Sequence, residues 1–242
     1  MTTHHPPRPV RALFVHHSVG GQLLRQGRLR ERLAGLATAG GPVVELWDHD
    51  YNQIGLSDGT GTRLGRAFPV PDDDTDPPGL LRLVQGDGGG APYLAELTGV
   101  DVLLLKSCFP NNRLRTDQDV TALRQTYQAL FDTLGRWPST RAVLLTSPPL
   151  HPRHTSGAEA ARARELAAWL LQTPRPDNVG VFDLFGVLAA PDGSQAGMLR
   201  RNYRRRFRLP DSHPNDRGAQ DAAVALTDYL AAMMAGLNAS AS

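Results

Sequence analysis

The sequence predicts an α/β fold: a single domain built on a doubly wound, five-stranded parallel sheet flanked by helices. Three observations predict it. Five short runs, at residues 10–16, 43–47, 100–106, 141–146 and 179–183, are apolar and rich in Val and Leu, the pattern of strands covered on both faces. Segments of helical periodicity lie between them, as crossover connections require. The chain has 242 residues, 40% of them apolar and 21% charged, which suffices for one such domain with a full core and gives no reason for a second.

Each helix has its own signal. Residues 22–36 place Leu23, Leu24, Leu29, Leu33 and Leu36 on one broad face, and Gly40 and Gly41 close the segment. Residues 116–134 carry Val120, Leu123, Tyr127, Leu130, Phe131 and Leu134 at the same period. Residues 156–171 begin at a capping serine, Ser156, and are rich in alanine. Residues 216–237 carry Ala222, Leu226, Tyr229, Leu230 and Met233. Between the second and third strands lies a long connection, 48–98, with short helices expected at 79–84 and 92–97; connections of that length are usually functional or mobile. A second irregular stretch, 190–214, leads into the last helix. The domain is expected over 8–237, with residues 1–7 and 238–242 as flexible termini.

Composition narrows the function. Twenty-six basic residues against 24 acidic ones leave a net charge of +2, too small to call for a nucleic-acid partner. Cys108 is the single cysteine, so no intrachain disulfide is possible. No apolar segment precedes the first strand, and no run approaches the roughly 20 apolar residues of a membrane span. A cytoplasmic protein without a membrane partner is the expectation; the oligomeric state is not legible.

Four polar segments converge on one edge of the sheet, three after strands and one before the last helix, the edge where open α/β folds place their chemistry. The first is His-His-Ser-Val-Gly-Gly at 16–21, which ends strand one at Ser18. The others are Asp-His-Asp-Tyr-Asn at 48–52, Lys-Ser-Cys-Phe-Pro-Asn-Asn at 106–112 and Asp-Ser-His-Pro-Asn at 211–215. A serine hydroxyl is a nucleophile only with a base to take its proton and donors to hold the oxyanion. His213, just before the last helix, is the candidate base. Asn111, after the third strand, is a candidate oxyanion donor. The competing roles are ordinary ones: a helix N-cap for Ser18 and a turn residue for Asn111. Asp183 is expected to cap the turn at Leu184, Phe185 and Gly186. His16, His17, His49 and Asp48 match no strong metal motif, so neither a metal nor a cofactor is expected. The basic run at 200–208 reads as a solvated face or as a rim that attracts an anionic substrate.

Together these segments resemble the SGNH (GDSL-like) hydrolases, over roughly residues 10–230. They come nearest to a branch in which His-His-Ser stands in place of Gly-Asp-Ser. The resemblance implies a flavodoxin-like sheet and a serine hydrolase that cleaves an ester, such as an O-acyl or O-acetyl group on a sugar or small metabolite, through an acyl-serine intermediate. It implies Ser18 as nucleophile, His213 as base, and an oxyanion hole made by Ser18, Gly55 and Asn111, with Asn112 in reserve for Asn111. Gly55 is preferred to Gly88, Gly89 or Gly90. His17, Tyr51 and Asn112 are then expected to line the substrate pocket. One departure concerns the orienting carboxylate. The family places it three residues before the histidine, where this chain has Pro210. Asp211, two before His213, is expected to take the role if the turn is reshaped; otherwise a Ser-His dyad remains. A non-catalytic binding protein for a glycan or acidic partner, or an acyltransferase, is the alternative function.

Overall fold

A computed structural model describes residues 8–65, 68–86, 93–205 and 210–239, with side chains described up to residue 235. The elements run β1 (Val10–Val15), α1 (Val19–Arg25), α2 (Leu29–Gly35), β2 (Val44–His49), β3 (Leu56–Ser57), α3 (Pro77–Gln85), α4 (Leu94–Thr98), β4 (Val102–Lys106), α5 (Asp117–Leu134), β5 (Arg141–Leu145), α6 (Gly157–Gln172), β6 (Val179–Phe182), α7 (Leu184–Leu188) and α8 (Asp216–Ala239). Among the described residues the sheet has six strands in the order β3-β2-β1-β4-β5-β6. The five expected strands pair in parallel, and the two-residue β3 adds an antiparallel edge against Asp48 and His49. Five strands therefore become six. The extra one is too short to show a period in sequence.

Strand order reverses between β1 and β4, which are neighbours in the sheet but far apart in the chain. That junction is the topological switch point, where such folds open a crevice beyond the strand ends. Ser18 follows β1 and the 107–112 loop follows β4, so both lie at the mouth of this crevice.

Strand alternation explains the apolar runs. Leu13 and Val15 of β1, with Leu103 and Leu105 of β4, face a core shared with Leu80 and Leu83 of α3, Tyr127 and Phe131 of α5, and Leu166 of α6. Ala12 and Phe14, with Val102 and Leu104, face the opposite core, shared with Leu23, Leu29, Leu33, Leu184, Leu188, Leu226 and Leu230. Both faces of the sheet are covered, so neither side of the central strands is polar.

The predicted helix at 22–36 is two helices. Arg28 takes a left-handed φ of 54° between them. The cause is contact with α8: a Cβ on Gly27 would come within 2.8 Å of the Ala219 carbonyl and 2.6 Å of the Ala223 methyl. Helices α5 and α6 start where expected, at the capping boxes of Thr116 with Asp119 and of Ser156 with Glu159. Asp183 caps α7, accepting the Gly186 N–H at 2.8 Å. Helix α8 continues to Ala239, two residues past its expected end. Gly88 to Gly90, the start of the helix expected at 92–97, positions 206–208 of the basic run and the chain ends at 1–7 and 240–242 lie outside the described residues.

Candidate active site

Ser18 sits directly between β1 and α1 with φ 34° and ψ −87°, a strained backbone for a residue with a side chain. Its hydroxyl makes no capping bond to α1, so the ordinary role for a serine at this turn is not the one it fills. The turn is held tight from below. The His16 side chain occupies the space beneath Gly20, where an added Cβ would come within 2.3 Å of the His16 Cβ. Any larger residue at position 20 would push the serine turn off the sheet edge. The phenol of Tyr51 interacts with the Ser18 side chain, and its ring stacks on His17 at 4.0 Å. Burial pushes the Tyr51 phenol up, and the nearby Asp50 and Asp73 carboxylates act in the same direction; the Ser18 contact offsets this only in part.

His213 enters from the other side of the crevice. Asp211 Oδ1 lies 2.6 Å from His213 Nδ1 and also accepts the His213 main-chain N–H at 3.0 Å. A single carboxylate oxygen thus closes an Asx turn and holds the imidazole. This reshaped turn is how an aspartate two residues away reaches the ring. Burial would raise the Asp211 carboxyl, but the His213 N–H, its ring and its charge, with Arg205 at 3.6 Å, hold it below its ordinary range. The turn is fastened to its surroundings. Gln22 Nε2, one helical turn beyond Ser18, donates to the Pro214 carbonyl at 3.2 Å. Asn215 caps α8 by accepting the Gly218 N–H at 3.0 Å. Its amide donates to the carbonyls of Asn202 and Arg204 at 2.9 and 3.1 Å. The ring of Phe109 meets His213 edge-on at 5.0 Å. Ser18 and His213 therefore share one rim through the Gln22–Pro214 tie. Among the described contacts no hydrogen bond joins their side chains; such bonds often tighten only in a substrate complex.

The loop after β4 separates the two asparagines. Asn111 is half-buried and directs its amide to Ser107 Oγ and the Cys108 carbonyl, both at 3.1 Å. Asn112 is buried and donates to the carbonyls of Ser147 and Pro148, each at 2.8 Å. It staples the β4 loop to the β5 loop with both amide hydrogens engaged. Gly55 adopts the left-handed φ of 73°, but its N–H donates to the Tyr51 carbonyl at 2.8 Å and closes the turn after β2.

His16 and His17 point to different partners. His16 is fully buried, with Nε2 3.1 Å from Asp48 Oδ2, and Asp48 in turn pairs with Arg30. Burial would raise the Asp48 carboxyl; the His16 hydrogen bond and charge and the Arg30 guanidinium together hold it low. His17 is 2% exposed, and burial pushes it down to about 4, against the pull of Asp73. It is neutral near neutral pH. His49 packs against Phe68 at 4.2 Å, and burial lowers it too. Among the described residues no group of three or more His, Cys, Asp or Glu side chains is placed to hold a metal ion.

Three side chains make contacts that the sequence does not announce. Lys106, the chain's single lysine, is fully buried, donates to the Ser107 carbonyl at 2.9 Å and lies 3.9 Å from Cys108 Sγ; burial lowers its pKa. Ser212 is buried behind the Asp211–His213 pair, where its hydroxyl accepts the His151 N–H at 3.0 Å and meets His154 Nδ1 at 3.3 Å. Asp73 approaches His17 from the long connection. None stands in a pattern with a period, so no sequence signal marks them beyond the oddity of a lysine ending an apolar strand.

No family model matches the chain, and no curated protein does. Solved structures do. The lipase Lip_vut3 from a goat rumen metagenome superposes with a TM-score of 0.57 at 12% identity, over 90% of this chain and 96% of that one. A carbohydrate esterase family 3 protein from Talaromyces cellulolyticus gives 0.54 at 13% identity, over 94% of this chain and 99% of that one. At these identities the likeness is one of fold, end to end, and the fold is the one expected from the resemblance to the SGNH hydrolases.

Proposed function

We propose that this chain is an esterase of the SGNH type, with Ser18 as nucleophile, His213 as general base and Asp211 as the group that orients it. The observation that carries the reading is the 2.6 Å Asp211–His213 contact on the same rim as a strained, uncapped serine. The aspartate fixes Nδ1 as the protonated nitrogen and leaves Nε2 to act as base. The two fold neighbours described as a lipase and a carbohydrate esterase are consistent with ester cleavage.

In this mechanism Ser18 Oγ attacks the ester carbonyl while His213 Nε2 takes its proton. The oxyanion is held by the Ser18 main-chain N–H and the Asn111 amide, which turns from Cys108 toward the substrate. The C–O bond to the alcohol breaks, and the imidazolium returns the proton to the departing oxygen. Water, deprotonated by the same imidazole, then attacks the acyl-serine and frees the acid. Tyr51 and His17 form the wall of the pocket beside the nucleophile. A screen of acetyl, longer acyl and acetylated-sugar esters tests the reading. Turnover that disappears in Ser18→Ala supports it, and equal turnover by a folded Ser18→Ala protein rejects it.

A further inference from the structure

Beside the nucleophile, the long connection between β2 and β4 carries a second constellation that the proposed chemistry does not use. Residues 71–73 form a short turn in which Asp72 and Asp73 both adopt left-handed φ, 55° and 51°. Asn52 clips this turn in place. Its amide donates to the Val70 carbonyl at 2.9 Å, its carbonyl accepts the Val70 N–H at 2.8 Å, and its own main-chain N–H donates to Asp73 Oδ1 at 2.6 Å. The clip aims Asp73 at His17, whose Nε2 lies 3.5 Å from the same oxygen. His17 is 2% exposed and its Nε2 is buried with no hydrogen-bond partner. An unpaired buried donor or acceptor is costly, and this one sits one residue from Ser18.

The Asp73 side chain remains 37% exposed, so a ligand can reach it. Asn52 and Asp73 also line a cavity of about 530 Å³ with Val70, Asp72 and Arg82. That volume is in the range of small-molecule sites. Pro69, Val70 and Pro71 form its apolar wall, and the Asp72–Arg82 pair closes at 2.6 Å.

We propose that Asp73 and His17 form a specificity subsite for a hydroxyl of the alcohol half of the ester, making the substrate class an acylated polyhydroxy alcohol. The assignment rests on the esterase reading above. A hydroxyl suits the pair because it accepts and donates at once: it takes the Nε2–H of neutral His17 and gives its own proton to the Asp73 carboxylate. An ammonium can only donate and would leave that N–H unanswered. The depressed His17 pKa, about 4, keeps the ring neutral across the working range. The cavity beyond Asp73 takes the rest of the polyol.

The test compares two acetate esters with the wild-type chain and Asp73→Asn. One is a monoacetylated methyl xyloside, rich in hydroxyls; the other is 4-nitrophenyl acetate, which has none. Asparagine keeps the oxygen that accepts the Asn52 N–H and removes the charge. The expected result is a fall of about 10- to 100-fold in the ratio of kcat/KM for the xyloside over the nitrophenyl ester, the size of one hydrogen bond to a charged group. A second readout needs no variant: free methyl xyloside is expected to compete with 4-nitrophenyl acetate in the wild-type chain. An unchanged ratio in Asp73→Asn, or no competition by the xyloside, overturns the subsite and leaves the esterase standing. A wild-type chain that cleaves neither ester overturns both.

Discussion

Two aspartate–histidine pairs lie near the strand ends, each completed by an arginine. At the base of the nucleophile turn, Asp48 holds His16 and Arg30. At the opposite rim, Asp211 holds His213 and, more loosely, Arg205. The residue types are the same and the environments are not. The His16 ring is fully buried, with Asp48 3.1 Å from Nε2 and Asp50 3.8 Å from Nδ1, so burial keeps both nitrogens from solvent. The His213 side chain is 27% exposed and its only described carboxylate sits on Nδ1. Both aspartates are held below their ordinary range, and in both burial works against the shift. A lowered carboxyl therefore does not distinguish a catalytic pair from a structural one. The open nitrogen does. The inner pair supports the turn that strains Ser18; in the proposed mechanism the outer pair moves its proton.

This contrast can be broken at either pair. The largest effect belongs to the nucleophile the outer pair serves: Ser18→Ala is expected to lower kcat by roughly 10⁴-fold or more with the thermal unfolding midpoint unchanged, read by ester turnover and calorimetry. Asp211→Asn follows, with an expected loss of about 10³–10⁴ in kcat. A loss of only a few fold there would mean that the imidazole keeps its tautomer without the carboxylate. Asn111→Ala is expected to lower kcat by about 10²–10³ with a smaller change in KM. Asn112→Ala is expected to act on stability instead, because its amide joins two loops.

At the inner pair the expectation reverses. Asp48→Asn leaves Arg30 and His16 without their carboxylate and is expected to cost about 3 kcal/mol of folding stability, measured by urea unfolding, while kcat of the folded protein stays within about tenfold. Equal damage to kcat from Asp48→Asn and Asp211→Asn would erase the distinction. A further effect is one of pH. His17 has a folded pKa of about 4, below its unfolded value near 6.5, so the unfolded chain binds more protons between these limits. Its contribution is fully present above pH 6.5 and is lost as pH falls toward 4, by an amount on the order of 3 kcal/mol. Urea midpoints at pH 7 and pH 5 are expected to show the loss, and His17→Gln to reduce it.

Much of the sheet was legible because strands covered on both faces are nearly uniform in composition, and the five long ones stand out as Val- and Leu-rich runs. The extra strand at Leu56–Ser57 and the break at Arg28 were not. The first is two residues long, and the second follows from Gly27 packing on α8, a contact that no local pattern records. In the site, Ser18, His213 and Asp211 could be picked out because each sits in a polar motif at a strand end or helix start. Whether Asp211 reaches the ring depends on the Asx turn around Ser212, which sequence leaves open between two conformations. For Gly55 and Asn112, residue type and position suggest donors, but whether an N–H is already engaged is decided by the carbonyls of Tyr51, Ser147 and Pro148, which no local pattern records. Asp73 was hidden in an acidic turn that reads as solvated loop.

The central claim is that the outer pair activates Ser18. A fluorophosphonate probe, followed by peptide mass mapping, tests it most directly, because it reads nucleophile and base together without a known substrate. The account predicts one adduct per chain, on Ser18, formed much more slowly in His213→Ala and at nearly the wild-type rate in folded Asp48→Asn. Absence of an adduct, an adduct on another residue, or labelling of Ser18 that ignores His213 would contradict it.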